Sequence, residues 1–181
     1  MEAIEMIKTR RSIRKYKDDV VPREVMEEIV EITRWAPSWT NSQTPRFTLV
    51  TDPTVIEKFA TDGVKGFVYN AGTLNTAKNV AVLSFSVGKA GRTEKYDIPT
   101  SDNPGRWEYF DAGIACQTFC LAAHAKGVGT CIFGVIDEAV ITDAINLPEG
   151  EQVAVLIVYG YPDQEAKPPR RKEVEELVRY L

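Results

Sequence analysis

One histidine, His124, is all the imidazole this 181-residue chain contains. Its three cysteines, Cys116, Cys120 and Cys131, are odd in number and form no CxxC pair. That leaves no zinc-ligand pattern, so no metal is expected, and reduced, mostly buried thiols suit a cytoplasmic protein. Neither a GxSxG motif nor a second histidine is present, which excludes a triad hydrolase. The longest apolar runs, such as VAVLIVYGY, are about half a membrane span, and the opening MEAIEMIK carries acids where a secretory signal has an apolar core. Basic charge is outweighed, 22 Lys+Arg against 26 Asp+Glu, for a net charge of -4 and a pI near 5.2. That balance argues against nucleic acid as a partner. A dinucleotide fingerprint is also missing. GVGTCIFG (127–134) has Ile132 where the third glycine belongs, and it runs helix–glycines–strand instead of strand–glycines–helix.

What is present is a 44% hydrophobic chain with no repeat and no linker, long enough for one core, so a single domain over 1–181 is expected. Residues 2–9 predict a short helix. Pro22 opens a second, with Val25, Ile29, Ile32 and Ala36 at spacings of three and four, stopping at Ala36-Pro37. FTLVT (47–51), VAVLSFSV (80–87), TCIFGV (130–135) and VAVLIVYG (153–160) predict strands. Residues 53–60 and 137–145 predict short helices, the second begun by Asp137. Residues 61–79 and 88–108 are weakly patterned, as lids, binding surfaces and plain excursions all are. DAGIACQTFCLAAHAKG (111–127) predicts a helix with Asp111 as N-cap and Gly127 as stop. Its middle is apolar on nearly every face, which implies burial all round, either inside one domain or, the favoured reading, along a dimer interface. Residues 162–172 are proline-rich and extended, with a last short helix after them. Strands and helices do not alternate one for one, which predicts an α+β fold.

Three segments carry candidate chemistry. Between Lys8 and Lys17 stand six basic residues, Lys8, Arg10, Arg11, Arg14, Lys15 and Lys17, around Ser12. The cluster is either a solvated charged face or an anion site, since guanidinium groups grip phosphate oxygens in bidentate fashion. A helical turn over 10–14 places Arg10 and Arg14 on one face, where their repulsion is relieved by an anion. A second cluster, Arg170, Arg171 and Lys172, converges with it on one phosphate in the anion reading. WAPSWTNSQTPRF (35–47) is either a capped loop or a platform, with Pro37, Ser38, Asn41, Ser42 and Gln43 addressing the edge of a planar heterocycle and Trp35, Trp39 and Phe47 offering flat surfaces. Gly134, inside a strand pattern, marks close approach of a ligand or another backbone. His124, Cys116 and Cys120 read as core residues.

RRSIR, APSWTNSQ, KGVGTCIFG and PPRRKEVEELV, in that order across nearly the whole chain, together resemble the flavin-dependent nitroreductase family. The resemblance implies an α+β homodimer, its central sheet mostly antiparallel and flanked by helices, with FMN at the subunit interface. It implies that Arg10, Arg11, Ser12 and Arg14 hold the phosphate and ribityl chain, and that Pro37, Ser38, Trp39 and Asn41 come from the partner subunit. Ile132, Phe133 and Gly134 then lie along the isoalloxazine, and Arg171, with Arg170 as reserve, returns to the phosphate. Departures are Thr44-Pro45-Arg46 where Pro-Trp is frequent, Ile132 where Trp is common, and Pro169 where a basic residue is frequent. For the Asn and Lys of the middle region that touch the flavin in some members, Asn70 is the one candidate. The implied reaction is NADH- or NADPH-dependent reduction of nitroaromatics or quinone-like acceptors in ping-pong order, with no catalytic side chain and with Arg14 or backbone amides tuning the flavin. Dehalogenation, azole oxidation and flavin breakdown on the same fold stay open, as does a non-catalytic flavin- or anion-binding module.

Overall fold

The computed structural model describes residues 2–91 and 105–181. Its frame is a four-stranded antiparallel sheet of β1 (Pro45–Val50), β2 (Val80–Ser86), β3 (Gly129–Phe133) and β4 (Glu151–Gly160), ordered β1-β2-β4-β3. Continuous apolar strands usually belong to parallel sheets covered on both faces. Here the sheet is antiparallel and both faces are covered all the same. Val80, Val82, Leu156 and Val158 meet Phe59, Leu74 and Ile141 on one side. Ala81, Leu83, Ile157 and Tyr159 meet Met26, Ile29 and Phe119 on the other. The two-residue period of each strand therefore feeds two cores at once.

The first face is packed by α3 (Pro53–Lys58), a π-type turn at Phe59–Gly63, α4 (Val68–Leu74) and α6 (Glu138–Ala144). The second is packed by α2 (Arg23–Thr33) and α5 (Arg106–Ala125), while α1 (Ala3–Thr9) reaches the end of α5. The fold is α+β, as expected. Among the described residues no helix is long and apolar enough to cross a membrane.

Three expectations need correction. α4 lies inside the stretch 61–79 that carries little pattern. α5 starts at Arg106, so Asp111 stands inside the helix and is no N-cap. Nor is α5 buried all round within one chain, because Tyr109, Phe110, Gly113 and Gln117 form an exposed side on which Phe110 is 59% exposed. Other signals hold. Gly127 follows α5 at φ 76°, the left-handed stop expected of it, and Asp137 accepts from the N–H groups of Ala139 and Val140 as a true N-cap. Of the uncertain stretch 88–108, residues 92–104 lie outside the described residues.

Gly129 sets a contact that the site depends on. A Cβ there would stand 2.7 Å from Ile13 Cγ1 and 3.0 Å from Pro162 Cγ. The N-terminal segment can lie against β3 only because that atom is absent. Gly129→Ala should therefore lower stability by about 1–3 kcal/mol, read from urea unfolding; an unchanged midpoint would mean that Ile13 does not rest on this strand.

Candidate functional site

After α1 the chain becomes extended. The Arg10 N–H closes the helix on Met6 O at 3.1 Å, Ser12 bridges Thr130 in parallel, and the Ile13 N–H donates to Thr130 O at 2.9 Å. The expected helical turn over 10–14 is absent. In an extended segment alternate residues share a side, so Arg10 and Arg14 still line up, by a different geometry from the one expected and with Ser12 between them. Arg11 belongs to the other set. Its Nη1 donates to Lys8 O at 2.7 Å and to Arg10 O at 2.8 Å, bracing the open carbonyl end of α1. Among the described residues, no acidic side chain forms an ion pair with Arg10, Arg11 or Arg14. The charge gathered here is not neutralised internally.

His124, near the end of α5, places its Nε2 2.9 Å from Thr9 Oγ1. Burial, and after it the charges of Arg10 and Arg11, hold the imidazole below its ordinary pKa. A cavity of about 530 Å³ opens between these groups, lined by Thr9, Arg10, Arg11, His124, Thr130 and Gln164. Cys131 faces the core beneath Ser12, and burial pushes its thiol up.

β3 is an edge strand. Cys131 and Phe133 turn into the core, whereas Ile132 between them is 45% exposed. A Cβ on Gly134 would meet nothing within 4 Å. The crowded glycine is thus Gly129, and within this chain Gly134 borders open space. A second cavity, of about 290 Å³, lies between Ile132, Leu83 and Val155 of the sheet and Tyr109, Cys116 and Gln117 of α5.

The loop after α2 is held differently. Thr40, Asn41 and Gln43 have φ of 43°, 59° and 50°, a region that costs a non-glycine residue about 1–3 kcal/mol. The fixings are polar. The Trp39 N–H donates to both oxygens of Asp111 at 3.0 Å, the Ser42 hydroxyl donates to Asp111 Oδ2 at 3.2 Å, and the Gln43 N–H donates to Ser38 Oγ at 2.9 Å. Asp111 is 1% exposed, and burial raises its carboxyl pKa while the bonds from Trp39 and Ser42 oppose the rise. Pro37 and Asn41 are left exposed, with Ser38 and Trp39 half-buried between them.

The aromatic residues of this segment separate. Trp39 packs on Trp107 with centroids 4.4 Å apart, and Phe47 stacks on Phe119 in the core at 4.9 Å. Trp35 stands 77% exposed beneath the Arg34 guanidinium. Of the three, Trp39 is the one held with the loop 38–43, by Asp111 and Trp107. Its buried Nε1 has no hydrogen-bond partner among the described residues.

The tail begins against the basic segment. The Asp163 N–H donates to Lys15 O at 3.0 Å, and Gln164 Oε1 accepts from the Arg14 N–H at 3.1 Å. Arg170 and Arg171 lie further along and are exposed. Asn70 is buried on α4 beside exposed Val68 and Tyr69.

One chain therefore gathers Arg10, Ser12, Arg14, the end of β3 and the root of the tail. It does not add the loop 37–41 to them. Asp111 ties that loop to the first half of α5, and His124 marks the N-terminal segment at the other end. Asp111 and His124 stand thirteen positions apart on the helix, about 20 Å along its axis. Sequence reasoning missed Glu108, Asp111 and Trp107 as loop anchors. Glu108 parallels Asp111 one turn earlier, accepting from the N–H groups of Gly88 and Lys89. The available signal was two acids three apart leading into an apolar helix.

The Nitroreductase family profile matches residues 7–161. A protein of Methanothermobacter thermautotrophicus, provisionally named NADH dehydrogenase/NAD(P)H nitroreductase, is 31% identical over 166 residues, covering 90% of this chain and 78% of its own. The structure of an FMN-dependent nitroreductase from Clostridium difficile R20291 is similar with a TM-score of 0.75 at 28% identity, covering 98% of each chain. A nitroreductase family protein from Streptococcus pneumoniae TIGR4 shares the fold with a TM-score of 0.87 at 20% identity, covering 99% of this chain and 100% of that one.

Since His124 is the one histidine in the chain, its ring protons give a single titration by NMR. Replacing Arg10 by Gln removes a repelling charge, so the midpoint should move upward. A midpoint that stays where it was would remove Arg10 from this cavity.

Proposed function

The chain belongs to the nitroreductase family, and from that membership and the geometry of the site we propose that it is an FMN-dependent oxidoreductase. It takes electrons from NADH or NADPH and delivers them to nitroaromatic or quinone-like acceptors, as a homodimer with FMN at the subunit interface. The observation that carries this reading is the bridge of Ser12 to Thr130, which lays Arg10 and Arg14 beside the strand ending at exposed Ile132 and Gly134.

These residues fit FMN on three counts. Arg10 and Arg14 hold charge that no acid neutralises among the described residues, which suits a phosphate dianion. Ser12 adds a hydroxyl between them. The open space at Gly134 lets a flat ring lie against backbone where a side chain would otherwise stand.

In this site Arg10, Ser12 and Arg14 hold the phosphate and ribityl chain. Arg11 braces α1 and adds its charge. Arg171, with Arg170 in reserve, closes over from a tail whose root Gln164 already fastens to the Arg14 backbone. Ile132 shields one ring face, and Phe133, buried beneath, presents main chain. When bound, FMN would supply the redox chemistry, a two-electron transfer from the nicotinamide to the acceptor, and the open face beside Ile132 and Gly134 would serve both in turn, which is a ping-pong order. Pro37, Ser38, Trp39 and Asn41 come from the second subunit, a reading supported by the separation of loop and basic segment along α5. The exposed side of α5 around Phe110 and Gly113 gives that subunit a surface to pack on. Cys116, Cys120 and Cys131, all free and buried, suit work in the reducing cytoplasm.

The purified protein should take up FMN with a flavin absorption band that NADH or NADPH bleaches without air. Arg10→Ala and Arg14→Ala should each weaken FMN binding roughly tenfold or more. Gly134→Val should also weaken it, leaving the melting temperature of the flavin-free protein unchanged. A preparation that stays colourless in excess FMN would overturn the proposal.

A further inference from the structure

We propose that Asp111 is the positioning residue of the shared site: it sets the loop 38–43 for the flavin of the neighbouring subunit, acting through the loop's main chain and not on the flavin. The inference rests on the reading above that this loop completes the cofactor site.

A carboxyl group taken out of water persists only where donors replace its hydration. Asp111 is almost wholly buried, and every hydrogen bond recorded for it among the described residues comes from this loop: the Trp39 N–H on both oxygens and the Ser42 hydroxyl on Oδ2. No Lys, Arg or His pairs with it there. The loop in turn needs a hold, because Thr40, Asn41 and Gln43 all sit at positive φ without glycine's freedom. It is clamped twice, by Asp111 at Trp39 and Ser42, and by Ser38 Oγ receiving the Gln43 N–H across its base. Between the clamps Thr40 and Asn41 project outward.

Trp107, four residues before Asp111 and so on the same side of α5, receives the Trp39 ring. One stretch of helix thus fixes Trp39 by side chain and by backbone together. The direction in which Asn41 faces the neighbouring subunit follows from that hold. Burial works against the charged form of Asp111, so the carboxylate is a costly way to fill space and makes sense as an acceptor for the loop.

Asp111→Ala should weaken FMN binding roughly tenfold or more. Asp111→Asn should recover part of the loss, since its carbonyl accepts from the Trp39 N–H and its amide donates to the Ser42 oxygen. Mixed dimers then locate the lesion. Asp111→Ala chains mixed with Arg10→Ala chains should regain about one FMN site per heterodimer, because one basic segment and one loop are both intact in a single site. Asp111→Ala mixed with Asn41→Ala should regain none, both lesions lying on loops. Should Asp111→Ala fail to fold, Ser42→Ala takes its place, with a few-fold loss expected and the same pattern of mixing. Equal recovery in the two mixtures, or an Asn variant no better than Ala, would overturn the assignment. Arg10→Ala mixed with Asn41→Ala is the control for the shared site itself. If that pair regains no site, the cross-subunit arrangement has failed, and Asp111 is judged by the Ala–Asn comparison alone, where equal affinities reject it.

Discussion

The contact between the N-terminal segment and β3 decides where this acidic protein keeps its positive charge. The Ile13 N–H reaches Thr130 O, and the Ile13 side chain lies where Gly129 has no Cβ. An arginine-rich segment left to itself would stay in water, since like charges gain nothing from proximity. Here backbone pairing and the burial of Ile13 hold it in place, and the guanidinium groups of Arg10 and Arg14 follow. Tyr16 secures the far end of the segment. Its ring covers Gly160, whose Cβ would stand 2.9 Å from Tyr16 Cδ1, and its hydroxyl reaches Val158 O. Charge is thus positioned by apolar packing at both ends.

From that arrangement follows an asymmetry along α5. At the C-terminal end of the helix lie His124 and the basic segment. At the other end Glu108 and Asp111 each take backbone N–H groups from a different loop. The same helix packs on the sheet and on α2 by its buried side and leaves Phe110, Gly113 and Gln117 open. Scaffold, loop anchor and candidate interface are therefore functions of one element, each on its own side.

Much of this was legible beforehand, for physical reasons that differ by element. Strands such as VAVLSF declare themselves because both faces of the sheet are covered and nearly every position is apolar. Gly127 and Asp137 are read correctly because helix stops and N-caps are satisfied by neighbours in sequence. Asp111 misleads for the opposite reason. An aspartate before an apolar run is a sound N-cap signal, but its actual donor, the Trp39 N–H, lies 72 residues away. α4 was hidden because VYNAGTL holds few strong helix formers and depends on packing beside the π-type turn. The crowding at Gly129 went unread for a similar reason, since crowding at a glycine is set by whichever distant segment crosses it. The alignment of Arg10 and Arg14 was anticipated on a helical premise, and an extended chain produces it by alternation, with Ser12 added between them.

Asp111 grips the loop mainly by its main chain. A clamp on a peptide N–H is indifferent to the side chains carried between its jaws. Positions 40 and 41 lie between the hold points at 39 and 42, so within what a positive φ allows the groups this loop turns outward can change while its frame stays put. Such a division of labour gives the fold evolvability: a few outward-facing letters can be rewritten with the core left untouched.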